Sequence, residues 1–275
     1  MPELPEVETT RRGIAPIMTD RTLESFTVHD SRMRWPVPAD LPATISGRVV
    51  RDCGRRGKYL LIHFDHGTQL IHLGMSGSLR RVPLDEPRRK HDHAEWVFSD
   101  ARFLLHDPRR FGAILWHPAE DGPVTSHPLL ARLGIEPLDS AFDGDVLVRA
   151  FAGRQVAVKQ ALLAGNAVVG VGNIYASEAL FKAGIDPRLP AGKLSRRRCM
   201  LLAEAIRETL SQALDSGGST LRDYVNATGE PGAYFTLHAS VYEKSGQPCG
   251  QCATPIRRIV QGQRATYFCP RCQRR

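Results

Sequence analysis

The chain of 275 residues has no apolar run approaching the roughly 18 residues that a membrane-crossing helix needs. Its first residues, Met1-Pro2-Glu3-Leu4-Pro5-Glu6, are acidic and proline-containing, unlike the basic and then apolar leader of a secreted protein. These two absences predict a cytosolic protein with no membrane partner. Internal repeats and low-complexity tracts are also missing, which excludes solenoids and disordered scaffolds. Acidic residues are outnumbered, 29 Asp and Glu against 37 Lys and Arg, leaving a net charge of +8 that favours polyanionic partners. Cysteine is scarce until the end of the chain: only Cys53 and Cys199 precede residue 248, and both read as buried small residues or idle thiols.

The other four of the six cysteines form Cys249-Gly-Gln-Cys252 and, sixteen residues later, Cys269-Pro-Arg-Cys272. Two tight CxxC turns supply the four thiolates of a tetrahedral zinc ion, and a site closed by four cysteines is structural because no position is left for water. Arg257–Val260 and Arg264–Phe268 between them read as the two strands of a hairpin stapled by the metal. Arg257, Arg258, Arg264 and Arg271 make it basic where a phosphate backbone would meet it.

Between the ends, residues 21–116 carry short β-type runs at close spacing (Tyr59–Phe64, Leu70–Leu73, Trp96–Phe98, Phe103–Leu105, Ile114–Trp116), the signature of a sandwich or barrel. Beyond a Pro-rich polar stretch the periodicity turns helical, at Leu129/Leu130/Leu133, Val146/Leu147/Phe151, Val158/Leu162, Ala176/Leu180 and Leu201–Leu210. The expected divisions are a β-sandwich over 1–117, a linker over 118–130, a helical region over 131–240 with a glycine-rich loop at about 217–235, and the zinc hairpin over 241–275. Thr220 and Asp223 have capping-box spacing in that loop.

At the N-terminus, removal of Met1, which a small second residue permits, exposes the secondary amine of Pro2. Such an amine attacks aldehyde-like carbons. A helix is expected to begin with Pro5 at its first position and to be limited by Gly13 and Pro16, its positive end lowering the amine's pKa while Glu3 and Glu6 raise it and move protons. Four further constellations stand out. Gly54-Arg-Arg-Gly-Lys58-Tyr59 offers Lys58 as a phosphate ligand or acid–base group. His72-Leu-Gly-Met75-Ser-Gly77 and Asp107-Pro-Arg109-Arg110-Phe111-Gly112 place Met75, Arg109 and Phe111 on loops, where such side chains wedge into a base stack. Val168–Glu178 is a Gly-rich turn into a helix, without the GK[ST] ending of a nucleotide loop, in which Asn173 is expected to cap the helix and contact phosphate.

Taken in order, PELPEVE, GRRGKYL, HLGMSG, DPRRFG, VGVGNIYASE and GQRATYFC resemble one family along the whole chain, the formamidopyrimidine-DNA glycosylases of bacterial base-excision repair. The resemblance implies an α+β, two-lobed protein: a β-sandwich with an N-terminal helix, then a helix–two-turns–helix domain ending in the β-hairpin zinc finger. It implies damaged duplex DNA as partner, a monomer, one structural zinc and no organic cofactor. By the same resemblance Pro2 is the nucleophile, Glu3 the proton donor to the opening sugar with Glu6 in the same acidic cluster, Lys58 the residue of β-elimination and Arg264 that of δ-elimination. Met75, Arg109 and Phe111 fill the void left by the flipped nucleotide, and Lys159, Asn173, His91 and Arg154 hold phosphates. The residues 217–235 resemble a lesion-reading loop. Leu4 in PELPE points to the oxidised-purine branch (8-oxoguanine, ring-opened purines), where the sister branch resembling endonuclease VIII usually reads PEGPE. A non-catalytic zinc-finger protein for DNA, or an RNA-binding protein, shares the charge and the CxxC pairs but leaves Pro2 without a purpose.

Overall fold

The computed structural model describes residues 2–219, 227 and 232–275. The chain divides into two compact units, residues 1–131 with 214–235, and residues 132–213 with 236–275.

The first unit opens with α1 (Leu4–Met18), followed by β1 (Arg21–Leu23), β2 (Ser25–Val28), α2 (Leu41–Ile45), β3 (Arg48–Val50), β4 (Asp52–Arg56), β5 (Tyr59–Phe64), β6 (Gly67–His72), β7 (Ser78–Val82), β8 (Asp92–Phe98), β9 (Ala101–His106) and β10 (Ala113–Pro118). Two four-stranded antiparallel sheets, ordered β10-β6-β5-β4 and β2-β8-β9-β7, form a sandwich, and β1 pairs with β3 beside it. Leu60, Ile62 and Ile71 from one sheet and Phe26, Trp96, Phe103 and Leu105 from the other share one core with Val7, Ile14 and Met18 of α1. Trp96 pays the cost of burying its indole N–H by donating to Gln69 Oε1 of the opposite sheet at 2.9 Å.

The expectations for α1 need two corrections. The first helical residue is Leu4, with Glu3 at the cap and Pro5 one place further in, and neither Gly13 nor Pro16 ends the helix. An ideal Cβ on Gly13 would lie 2.6 Å from Ala227 Cβ, so this glycine serves close packing and not termination. Pro16 sits in the last turn on the exposed side, where water can satisfy the carbonyl that its missing N–H leaves unpaired.

The second unit contains α3 (Gly144–Phe151), α4 (Val158–Leu163), α5 (Asn173–Lys182), most of α6 (Arg196–Asp215), part of α7 (Tyr234–His238), and the hairpin β11 (Arg257–Gln261) with β12 (Arg264–Phe268). Gly262 and Gln263 both take positive φ, 53° and 64°, as a two-residue turn between right-twisted strands requires. The Leu129/Leu130/Leu133 pattern forms turns instead of a helix; His127 heads them, its carbonyl accepting from Leu130 and Ala131. Two short 3-10 turns, Ala119–Asp121 and Val124–Ser126, occupy the polar stretch before it. Among the described residues, no helix is long and apolar enough to cross a membrane.

Candidate functional site

Pro2 is buried and immediately precedes the cap of α1. Glu3 and Glu6 form a reciprocal capping box, in which Glu3 N–H donates to Glu6 Oε2 at 2.7 Å. The other oxygen of Glu6 accepts from Ser219 N–H, also at 2.7 Å, so one buried carboxylate joins the turn carrying Pro2 to the start of the 217–235 segment. Gly218, at φ +86°, has its ideal Cβ position 3.0 Å from Glu6 Oε1. The described ends of the segment close through the Ser219–Ala233 bridge. Its interior, including Thr220 and Asp223, lies outside the described residues apart from Ala227, which is buried in the core and accepts from Arg81 N–H.

Glu8, which sequence reasoning did not single out, cross-links this region. Its carboxylate pairs with Arg11 at 2.8 Å, Arg12 at 3.0 Å and Arg55 Nε at 3.1 Å. Burial alone would push the Glu8 carboxyl up, but the bonds and charge of Arg11, with Arg12 and Arg55, hold it down at about 2. Arg55 also donates to Gly57 O at 2.9 Å. It thereby fixes the turn that precedes Lys58 against the helix that follows Pro2. Replacing Glu8 with Gln strips three guanidiniums of their shared anion and is expected to cost about 1–3 kcal/mol of stability, read by denaturant unfolding. Because the folded carboxyl lies below its ordinary value of 4.5, its contribution is complete above that pH and is lost as pH falls towards 2.

Lys58 leads into β5, and Tyr59 pairs across the ladder with His72. Burial first, then the charges of Lys58 and Arg34, push His72 down to about 4. His72 Nδ1 accepts from Gly74 N–H at 3.0 Å, so the ring is neutral and holds the first residue of the Met75 turn. A neutral, half-buried histidine stabilises fully above the ordinary 6.5 and loses that contribution as pH falls towards 4. His72→Gln is therefore expected to flatten the stability–pH curve across that window, as thermal melts at several pH values would show.

The Met75 and Phe111 turns meet backbone to backbone. A Cβ on Gly74, where φ is +66°, would lie 2.4 Å from Gly112 N and from Phe111 C. Buried Asp107 ties the two together, accepting from Ser76 Oγ at 3.1 Å, Arg109 N–H at 3.3 Å and Gly112 N–H at 2.8 Å. Met75 and Phe111 stay 41% and 46% exposed, which sets them apart from core residues, and the Arg109 guanidinium stacks on the Phe111 ring at 4.8 Å. Gly74→Ala adds both a clash and left-handed strain, so it is expected to cost about 2–4 kcal/mol, measured as a fall in unfolding midpoint. His91 lies beside this loop, its carbonyl accepting from Asp107 N–H. Its ring stands edge-on to His93 and His106. Burial, followed by the charges around it, holds His91 below the usual range.

In the second unit the sequence-selected residues converge on β12. Lys159 is fully buried; its Nζ donates to Thr266 Oγ1 at 2.9 Å and Ala265 O at 3.2 Å. Asn173 Nδ2 donates to Ala265 O at 3.0 Å and Tyr242 OH at 3.2 Å. Asn173 does not cap α5; Gly172 holds that position without a side chain, leaving the amide free to reach the hairpin. Both residues brace the strand whose first residue is the exposed Arg264. Glu178 anchors the preceding segment by accepting from the N–H groups of Ser240, Val241 and Tyr242 at 2.7–3.0 Å. Tyr242 and Glu178 went unremarked as site residues because an isolated Tyr or Glu carries no spacing signal. Arg154 stands apart, exposed between α3 and α4, its Nε donating to Ala150 O.

The four thiol sulfurs of Cys249, Cys252, Cys269 and Cys272 lie within 4.8 Å of one another. The Cys249–Cys272 and Cys252–Cys269 separations are 3.9 and 3.5 Å, close to the edge of about 3.8 Å for a tetrahedron with zinc–sulfur bonds of about 2.3 Å. The set fits one structural Zn²⁺. Cys53 and Cys199 are buried away from it, and burial pushes the Cys53 thiol up to about 12.

Comparison with known proteins agrees with this geometry. Residues 1–114 match the formamidopyrimidine-DNA glycosylase N-terminal domain, residues 133–225 the H2TH domain of the same proteins, and residues 246–275 a zinc finger found in FPG and IleRS. Formamidopyrimidine-DNA glycosylase of Bordetella pertussis is 70% identical over the full length of both chains, and that of Paraburkholderia phytofirmans 57%. Among solved structures, a Lactococcus lactis Fpg complex with DNA containing an abasic site superposes with a TM-score of 0.91 at 33% identity, covering 99% of this chain and 100% of that one. The Thermus thermophilus protein gives 0.88 at 39% identity, covering 99% and 98%. A sandwich led by a proline-headed helix, with a helical unit that ends in a four-thiolate zinc hairpin, defines a DNA glycosylase of DNA repair. The chain belongs to the formamidopyrimidine-DNA glycosylase family.

Proposed function

We propose that the chain is a bifunctional glycosylase and lyase that removes oxidised purines, 8-oxoguanine and ring-opened formamidopyrimidines, from duplex DNA and then nicks the strand. The observation that carries this reading is the clamp in which Glu8 and Arg55 hold the Pro2 helix against the turn before Lys58. With Met1 removed, the Pro2 amine attacks C1′ of the damaged nucleotide, the base leaves, and the nitrogen becomes an iminium. The iminium acidifies the neighbouring C2′, whose proton is lost as the 3′ phosphate leaves; loss of the 5′ phosphate completes β,δ-elimination. Glu3 gives a proton to the opening sugar, Lys58 serves β-elimination, and Arg264 holds phosphate and serves δ-elimination. Met75, Arg109 and Phe111 fill the gap in the stack. His91, Arg154, Lys159 and Asn173 serve phosphate binding, Lys159 and Asn173 by holding β12 in register as much as by contact.

A monomer acting in the bacterial cytoplasm on nucleoid DNA fits this chemistry. Borohydride trapping tests it: a duplex with 8-oxoguanine opposite cytosine should become covalently linked to the processed chain, and no adduct would refute the mechanism. A second reading, excision of oxidised pyrimidines, has one observation in its favour, since a Lactococcus lactis Fpg was crystallised with DNA containing an oxidised pyrimidine. Trapping across a purine and pyrimidine lesion panel separates the two.

A further inference from the structure

In the second unit, a basic band lies outside the set that braces β12 and adjoins only Arg154 of the residues assigned above, whose carbonyl accepts from Gly192 N–H, next to Lys193, at 2.8 Å. The first turn of α6 carries Arg196, Arg197 and Arg198 and no acidic residue. The helix dipole favours carboxylates at this end, so three arginines there oppose stability and call for another reason. The short turn just before it contributes Lys193. The last residues of the chain are fastened to the same place: Arg198 Nη2 donates to Arg274 O at 2.5 Å, and Arg274 N–H donates to Gly184 O at 3.0 Å. Arg275 approaches Asp186 at 3.8 Å.

Segments far apart in sequence thus contribute six cations, Lys193, Arg196, Arg197, Arg198, Arg274 and Arg275, with Arg188 outside the six as a competing partner of Asp186. Among the described residues two carboxylates pair with these six, Asp145 with Arg196 at 2.7 Å and Asp186 with Arg275 at 3.8 Å, and Asp186 is shared with Arg188, closer at 2.6 Å. Lys193, Arg197 and Arg274 are exposed and have no side-chain hydrogen bond or ion pair to a described residue. A solvated face would balance such a cluster with interspersed acids. Here the surplus is left open, at the spacing of successive positions along one helix turn and the adjoining tail.

We infer that this band is a second DNA-binding face, taking backbone phosphates of undamaged duplex independently of the lesion chemistry. Duplex DNA is the occupant this charge favours, because the proposed substrate is duplex and, among the described residues, the band's own positions (193, 196–198, 274 and 275) carry no aromatic side chain on which unpaired bases would stack. The inference rests on the DNA-binding reading but not on the Pro2 mechanism. Its contribution is to hold the protein on DNA between lesions, where sequence-independent phosphate contacts govern affinity.

The test compares the zinc-loaded full chain with the triple variant Lys193→Ala, Arg197→Ala, Arg274→Ala, and with a control of equal charge loss elsewhere, Arg48→Ala, Arg51→Ala, Arg132→Ala. Affinity for a long undamaged duplex is measured against salt. Each phosphate contact contributes about 0.9 to the slope of log K against log salt, so the band variant should flatten it by about 2 to 3 and the control by less than about 1. Trapping at saturating protein on a short lesion duplex should be unchanged in both, and unchanged melting confirms that the folds persist. Equal slopes in the two triples would overturn the inference, leaving only diffuse charge. So would a band variant that loses binding to single-stranded RNA or to anionic vesicles while its duplex slope stays put. Failure of wild-type trapping with the slope difference intact would instead refute the catalytic reading and leave this one standing.

Discussion

A preparation in which Met1 is retained is expected to give no borohydride adduct with a lesion duplex, while the same chain after Met1 removal gives one. Retention turns the Pro2 nitrogen into a tertiary amide, which has no basic lone pair, and moves the free amine one residue away, about 3.8 Å along the chain. A misplacement of even about 1 Å is enough to cost about a hundredfold in a positioned reaction, so strand nicking should fall by at least that much. Duplex affinity should remain within a few fold, because the proposed phosphate ligands are other residues. Mass spectrometry of the two preparations establishes the N-terminus, and gel trapping reads the adduct. An undiminished adduct from the Met1-retaining chain would show that another amine does the chemistry, with Lys58 the first candidate. Pro2→Gly offers a second check. Its primary amine forms an imine that must be protonated before it withdraws electrons, whereas proline's iminium is charged from the start, so trapping should fall without vanishing.

Much of this site was legible from residue order. The strand runs at Tyr59–Phe64 and Trp96–Phe98 alternate or bury as β-structure does, and the two CxxC pairs state their geometry outright. Turn residues were legible as well: glycines around Met75 and Phe111 marked loops, and those loops do lie against one another. What could not be read were the long-range partners. Gly13 looks like a helix breaker until Ala227, more than 200 residues later, is seen to need the space. Asn173 looks like a cap because capping is local, but its amide is taken by Ala265 and Tyr242. Glu8 looks like one more acidic residue in a first turn, and its value comes from Arg55, 47 positions away. Local rules describe a residue's cheapest use, and tertiary contacts replace that use where they supply a better partner.

The zinc hairpin makes the remaining large prediction, because its folding and its metal are one equilibrium. Structural zinc contributes on the order of 10–16 kcal/mol in small cysteine modules, far more than a five-residue hairpin gains from its own ladder. Replacing Cys269 with Ser should therefore empty the site and unravel β11 and β12. Cys269 is fully buried, and its backbone N–H is held by Gln273 Oε1 at 2.8 Å, so the disorder should spread into the last residues of the chain. Lys159 would then lose both acceptors on β12 and remain as a buried cation beside an opened cavity. Loss of Arg264 and its neighbours as an ordered face should weaken duplex binding by at least about a hundredfold, since each lost phosphate contact acts on affinity. The first unit, with its separate core, should keep its fold and its amine. At protein concentrations high enough to saturate the weakened complex, an abasic-site duplex should therefore still trap on Pro2, although δ-elimination should fail without Arg264. Metal analysis, a salt titration of binding and product gels together check the chain of consequences, and a zinc-free variant that bound duplex as tightly as the parent would break it at the first link.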